Sequence, residues 1–193
     1  MRVLIACEYS GTVRDAFTRA GHHAVSCDLL RTDTLGPHYQ GDIRDVLDRG
    51  WDMMIAHPPC TDIAVSGAAW FKEKIADGRQ QRALDFVRML MDVPIPKICI
   101  ENPVSVISSK IRKPDQIIQP YQFGHTEQKK TCLWLKGLPL LKPTRNVYDE
   151  MMLLPKNKRE RLHYLPPSAD RWKIRSQTFS GFATAMAEQW GGK

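Results

Sequence analysis

Four short apolar runs, each breaking off at polar or proline-bearing residues, constrain this chain more than any other feature. Residues 2–7 (RVLIAC) stop at Glu8-Tyr9-Ser10-Gly11, and residues 23–28 (HAVSCD) stop at an acid. A third run, within residues 51–60 (WDMMIAHPPC), ends at a proline pair, and a fourth, within residues 96–103 (PKICIENP), ends at Glu101-Asn102-Pro103. Between the first two, TVRDAFTRAG sets Val13, Ala16, Phe17 and Ala20 at helical spacing and closes on Gly21, a helix stop. Between the last two, residues 77–91 carry Ala83, Phe86, Val87, Leu90 and Met91 on one helical face. Apolar strands alternating with amphipathic helices make a parallel sheet covered by helices, so the first two-thirds of the chain reads as α/β.

The rhythm then changes. QIIQPYQFG (residues 116–124) and KTCLWLKG (residues 130–137) read as two strands joined by a turn, an antiparallel pair at one sheet edge. Residues 138–175 are rich in Pro, Lys and Arg and read as irregular or as a small appendage, whereas TFSGFATAMAEQW (residues 178–190) is a final helix with small residues for close packing. At 193 residues the chain holds one substantial core and has no room for two catalytic domains. The division expected is a core over residues 1–137, a basic segment over residues 138–175, and a C-terminal helix over residues 176–193 that packs back on the core.

Lys and Arg number 28 against 21 Asp and Glu, a formal charge of +7, which favours an anionic partner, nucleic acid first among them. Cys7, Cys27, Cys60, Cys99 and Cys132 are odd in number and contain no C-x-x-C pair, so they imply neither a disulfide framework nor a zinc site, and a reducing cytoplasm is the simplest location. The histidines have no metal-ligand spacing. No apolar stretch approaches a membrane span and the N-terminus lacks a signal-peptide pattern, so no membrane partner is expected.

In an open parallel sheet, ligands bind beyond the carboxyl ends of the strands. Four positions qualify: Cys7 to Gly11, Asp28, Pro58-Pro59-Cys60, and Glu101-Asn102-Pro103. Singly, each has a plain structural reading as a turn, a cap, a stiff loop or a strand terminator. Together they suggest chemistry. A cysteine on a proline-stiffened loop at a strand end, near helix dipoles and positive charge, is placed to have a lowered pKa and to act as a nucleophile, while the other four cysteines have apolar neighbours and read as core. Glu101, protonated, would donate a hydrogen bond to a ring nitrogen of a planar substrate, which points to addition to an electron-poor ring. His57, beside the proline pair, tunes the thiolate, shapes the pocket or is filler.

In this order, the EYSG turn, Asp28, Gly41-Asp42-Ile43, Pro58-Pro59-Cys60, Glu101-Asn102-Pro103 and the closing FSGFATAMAEQW resemble the cytosine-5 DNA methyltransferase family over most of the chain. The resemblance implies a Rossmann-like methyltransferase fold with helices on both faces of the sheet, and S-adenosyl-L-methionine as cofactor. It implies that Cys60 attacks carbon 6 of a flipped-out cytosine while Glu101 holds N3 and the exocyclic amine. Asn102, Pro59 and Pro103 would fix the loop and carboxylate, and Lys130 takes the place of the family's first sixth-strand arginine, with Cys132 in place of the second. Cys7, Glu8, Tyr9, Ser10, Gly11 and Pro58 would line the cofactor, Asp28 would bind its ribose hydroxyls, and Asp42 with Ile43 would meet its adenine. Ser66-Gly67 matches the loop that closes over the base, and Gly181-Phe182-Ala183 stands where the family has Gly-Asn-Ser.

Family members carry a long target-recognition region where this chain has only residues 138–175. That segment interleaves Lys142, Arg145, Lys156, Lys158, Arg159, Arg161, Arg171, Lys173 and Arg175 with Tyr148, His163, Tyr164 and Trp172, a mixture suited to phosphate contacts and base stacking. The expected partner is DNA, single-stranded or read with short or relaxed specificity, or read with help from a second copy or another subunit. The same chemistry on RNA, transfer of a related group, and a catalytically silent nucleic-acid-binding module stay open on the residues alone.

Overall fold

The computed structural model describes residues 1–192; Lys193, the last residue of the expected C-terminal unit, lies outside them. The elements follow in chain order: β1 (Arg2–Ala6), α1 (Thr12–Arg19), β2 (His23–Asp28), β3 (His38–Gln40), β4 (Met53–Ala56), α2 (Phe71–Ala76), α3 (Arg79–Asp92), β5 (Lys97–Pro103), α4 (Ile107–Lys110), β6 (Gln116–Ile118), β7 (Thr131–Lys136), α5 (Tyr148–Met152), α6 (Lys156–Arg159), α7 (Arg171–Ser176) and α8 (Ser180–Trp190). The strands form one seven-stranded sheet in the order β3-β2-β1-β4-β5-β7-β6. β3 to β5 pair in parallel, and β7 is antiparallel to both β5 and β6.

Because each inner strand is covered on both sides, its residues alternate between two cores rather than between core and water. Val3, Ile5, Met53, Ile55, Cys99 and Leu133 face α1 and α8, whereas Leu4, Ala6, Met54, Ile98, Ile100 and Trp134 face α3. The small residues Ala183, Ala185 and Ala187 let α8 lie close against the sheet and α1. Gly181 allows that approach, since a Cβ there would sit 2.1 Å from the Phe123 carbonyl oxygen. The basic segment is partly ordered as α5, α6 and α7, and Leu141 and Leu162 anchor it in the α1/α8 core. β3, α2 and these three short helices are additions to the sequence reading.

The chain leaves β1 outward to β2 and β3, then crosses back to β4 and β5 on the other side. The ends of β1 and β4 therefore flank the topological switch point, the place at which open α/β sheets bind their ligands.

Candidate active site at the strand ends

Strand register builds the site. Ala6 pairs with Cys27 and with Ala56, and Ala56 pairs with Ile100. One residue further along the four strands come Asp28, Cys7, His57 and Glu101, a row of polar positions across the switch point on the α1/α8 face. Cys7 is the one non-glycine residue with a left-handed backbone among the described residues, at φ 57°. It is half-buried, unlike Cys27, Cys99 and Cys132, which are core as expected. A strained residue of this kind costs on the order of 1–3 kcal/mol.

The Nδ1 atom of His57 lies 2.8 Å from Oε2 of Glu101, with the side chains 9% and 12% exposed. Burial alone would lower the imidazole pKa, but the hydrogen bond and charge of Glu101, with Glu8 behind it, raise it above the ordinary histidine value. Burial would likewise raise Glu101, yet His57, assisted by Lys129, brings its carboxyl below the usual range. The pair therefore favours a carboxylate on Glu101 and a proton on His57, which is the partner of Glu101 rather than filler. Nε2 of His57 is buried and has no hydrogen-bond partner among the described residues.

On the opposite face of β5, Asn102 is 1% exposed and its Nδ2 donates to the Pro58 carbonyl at 2.9 Å. That bond fixes the loop bearing Cys60, with Pro58 buried and Pro59 exposed. The carbonyl of Cys60 accepts the amides of Ile63 and Ala64, at 3.1 and 2.8 Å, and Ala64 bridges to Ser105 beyond β5. Lys74, buried in α2, donates to the Thr61 carbonyl and pairs with Asp62 at 3.6 Å. The Cys60 thiol is half-buried, and its pKa is raised, not lowered: burial dominates and the Glu101 charge adds to it, outweighing Lys129 and Arg175. The following helical turn begins only at Val65, so Cys60 does not itself sit at the start of a helix. Ser66 and Gly67 lie in that turn, beside Trp70, which is 60% exposed.

The residues expected around the cofactor divide by duty. Glu8 is buried and caps α1: its Oε1 accepts the Val13 amide at 2.6 Å and its Oε2 the Arg14 amide at 3.2 Å. Ser10 donates to Glu8, and Gly11 adopts φ 75° where a Cβ would collide with Thr34 and Arg14. The loop after β2 folds over this turn, with the Asp33 amide donating to the Tyr9 carbonyl. Arg14, 0% exposed, holds that loop through Thr32, Thr34 and Leu35. Asp28 is half-buried at the end of β2 and accepts the Leu30 amide; burial raises its pKa. Asp42 caps the turn after β3 and pairs with Arg44, while Ile43 is core.

The cation whose charge acts on both Cys60 and Glu101 is Lys129, one residue before the expected Lys130. β7 pairs Leu133 with Glu101 and Cys132 with Asn102, so period two assigns Lys129 to the face of Glu101 and Lys130 to the other. Lys130 is exposed. Nζ of Lys129 donates to the Arg175 carbonyl at 3.0 Å, which brings the end of α7 over the site. The Tyr9 hydroxyl donates to the Lys173 carbonyl at 3.2 Å and lies 3.0 Å from Ser176 Oγ, and Trp172 stacks obliquely on its ring. Lys129 also lines a cleft of about 330 Å³ with Gln119, Gln128, Lys130, Glu160 and His163. A larger cleft, of about 620 Å³, lies away from this row between α1 and α8, beside His22.

His57 as the carboxylate's partner, Lys129 and Arg175 were not singled out in these positions from sequence. The first two follow from strand parity once the pairing is known, whereas nothing in the sequence signals the docking of α7 on Tyr9.

No family model and no curated protein matches the chain. Among solved structures it is similar to a chain described as a DNA modification methyltransferase encoded within an E. coli prophage, with a TM-score of 0.52 and 16% identity, over 81% of this chain and 56% of that one. It is also similar to the Entamoeba histolytica methyltransferase EhMeth, with a TM-score of 0.53 and 16% identity, over 76% of this chain and 57% of that one. The chain thus spans little more than half the length of these structures, and what it shares with them is the fold: a Rossmann-like methyltransferase sheet with an antiparallel edge pair and helices on both sides.

Proposed function

We propose that this protein transfers a methyl group to carbon 5 of cytosine in DNA through a covalent adduct on Cys60. The observation that carries the reading is the juxtaposition at the ends of adjacent strands β4 and β5. There a half-buried thiol sits on a loop pinned by Asn102, and a buried carboxyl whose charge acts on it is hydrogen-bonded to His57 and held below the usual range by His57 and Lys129.

The strand-end residues fit S-adenosyl-L-methionine: the half-buried Asp28 carboxylate suits ribose hydroxyls, and the left-handed turn at Cys7 stands at the end of the neighbouring strand β1. When bound, that cofactor supplies an electrophilic methyl group. Asp28 and the backbone of the Cys7–Gly11 turn would hold it, while Glu8, Ser10 and Ile43 act behind them by fixing α1 and the wall. Cys60 loses its thiol proton to solvent and its sulfur adds to carbon 6, which makes carbon 5 nucleophilic. Glu101 accepts from the exocyclic amine and faces N3, where charge accumulates as the sulfur adds. Lys129 and Arg175 oppose the burial of the thiolate.

DNA is the substrate of choice because the exposed cations Lys142, Arg145, Lys156, Lys158 and Arg161 and the exposed Trp70, Tyr164 and Trp172 combine charge with stacking surface. Extruding a base costs a few kcal/mol, which such contacts offset. With so short a basic segment, recognition should be short or relaxed.

Incubation with methyl-labelled S-adenosylmethionine and duplex DNA, single-stranded DNA, RNA or no nucleic acid tests the reading. Label is expected at carbon 5 of cytosine in DNA, and its absence from DNA, or its appearance on another atom, overturns the proposal.

A further inference from the structure

Glu101 rests as a carboxylate, yet cytosine N3 needs a proton when sulfur adds to carbon 6. The strand row supplies a source. His57 is the residue that β4 places in register with Glu101, its Nδ1 is 2.8 Å from Oε2, and its Nε2 is buried without a partner among the described residues. A doubly protonated ring there has a hydrogen-bond acceptor at Nδ1, and its second N–H has none among the described residues.

We infer that His57 is a positioning residue that stores the proton for the target base: its Nδ1 proton passes through Glu101 to cytosine N3 as Cys60 adds to carbon 6. This deepens the cytosine-5 reading and rests on it. Atoms and charge balance. The Cys60 thiol proton goes to solvent, the sulfur–carbon 6 bond forms, the carbon 5–carbon 6 electron pair moves toward N3, and N3 takes the proton that His57 gives up. The imidazole becomes neutral and Glu101 is again a carboxylate. After carbon 5 has gained its methyl group and lost its proton, Cys60 leaves carbon 6 and N3 returns its proton through Glu101 to His57.

The groups that set the charge of His57 come from every surrounding strand end. Glu101 lies on β5 and Glu8 in the turn after β1, and both favour the imidazolium; Lys129, before β7, opposes it. Asp28, at the end of β2, feels the His57 charge in turn. The carboxylates outweigh both Lys129 and burial, so the ring holds its proton above about pH 6.5, the ordinary histidine value.

The test is the pH profile of single-turnover methyl transfer to cytosine-containing DNA by the wild type and by His57→Gln, which keeps an N–H donor toward Glu101 but cannot titrate. The wild-type step needs an imidazolium and a thiolate together. Its rate should climb at low pH, level off above the imidazole pKa and fall above that of the thiol. His57→Gln should be slower by roughly 10²-fold at neutral pH and should climb until the thiol has ionised, with no plateau. Superimposable profiles overturn this inference and leave the cytosine-5 reading standing; no transfer by the wild type at any pH overturns both. Should His57→Gln fail to fold, a nitrogen-15 NMR titration of the wild-type histidines decides. A His57 that titrates above the ordinary value, and drops in Glu101→Gln, supports the proton store, and one that titrates at or below that value overturns it.

Discussion

Replacing Asn102 by Ala tests how the loop bearing Cys60 is held. The side chain is 1% exposed and donates from Nδ2 to the Pro58 carbonyl at 2.9 Å, while its Oδ1 has no partner among the described residues. Truncation removes that bond and leaves the Pro58 carbonyl without its donor in a closed interior. The cost should be about 1–3 kcal/mol. For a chain of this size each kcal/mol lowers the melting temperature by about 2–4 °C, so a drop of roughly 2–12 °C is expected in a thermal scan, with a matching fall in the urea midpoint. Asn102→Asp should be as damaging, because an acceptor replaces the donor and a buried carboxylate has no partner there. Methyl transfer should fall by more than the unfolded fraction explains, since Cys60 loses its fixed position. A variant within about 0.5 kcal/mol of wild type would refute the pinning, because unimportant surface changes stay in that range.

Gly181→Ala should unfold or misdock α8, as its Cβ would meet the Phe123 carbonyl oxygen at 2.1 Å and His125 Nε2 at 2.9 Å; circular dichroism of the purified variant checks this. His125 Nε2 accepts the Gly181 amide at 2.9 Å, and burial lowers its pKa below the unfolded value of about 6.5. The neutral ring's contribution to stability is therefore complete above that value and is lost as pH falls through the folded pKa. Urea midpoints measured downward from neutral pH should show this slope in the wild type and lose it in His125→Asn. Arg14→Met should cost about 1–3 kcal/mol by leaving Thr32, Thr34 and Leu35 without their donor and releasing the loop over residues 32–35, read as a lower urea midpoint and faster proteolysis there. Lys129→Ala should slow methyl transfer more than Lys130→Ala, whereas equal losses would contradict the assignment of faces.

The inner strands were legible because residues buried on both sides must be apolar: RVLIA, MMIA and KICI admit no other use. β3 was not, since His38-Tyr39-Gln40 sits at the sheet edge and carries no apolar pattern. α2 and α5 to α7 are too short for a helical stripe to register, and their anchors, such as Met151 and Leu162, are single residues amid charge. Within the site, the positions of Cys60, Glu101 and Asp28 followed from the rule that ligands lie beyond strand ends. Their ionisation did not, because it depends on burial and on the His57 pairing, which strand register alone creates. The choice between Lys129 and Lys130 turned on the same register: a shift of one residue flips the face.

The central claim is most directly tested with DNA in which the candidate cytosine is replaced by 5-fluorocytosine, incubated with the protein and S-adenosylmethionine and analysed by peptide mass spectrometry. Fluorine at carbon 5 blocks the proton loss that frees the enzyme, so the account predicts a stable protein–DNA adduct on Cys60, abolished in Cys60→Ser. Methylation of ordinary DNA without such an adduct, an adduct on Cys7 or any other residue, or a Cys60→Ser variant that still transfers methyl groups would contradict it.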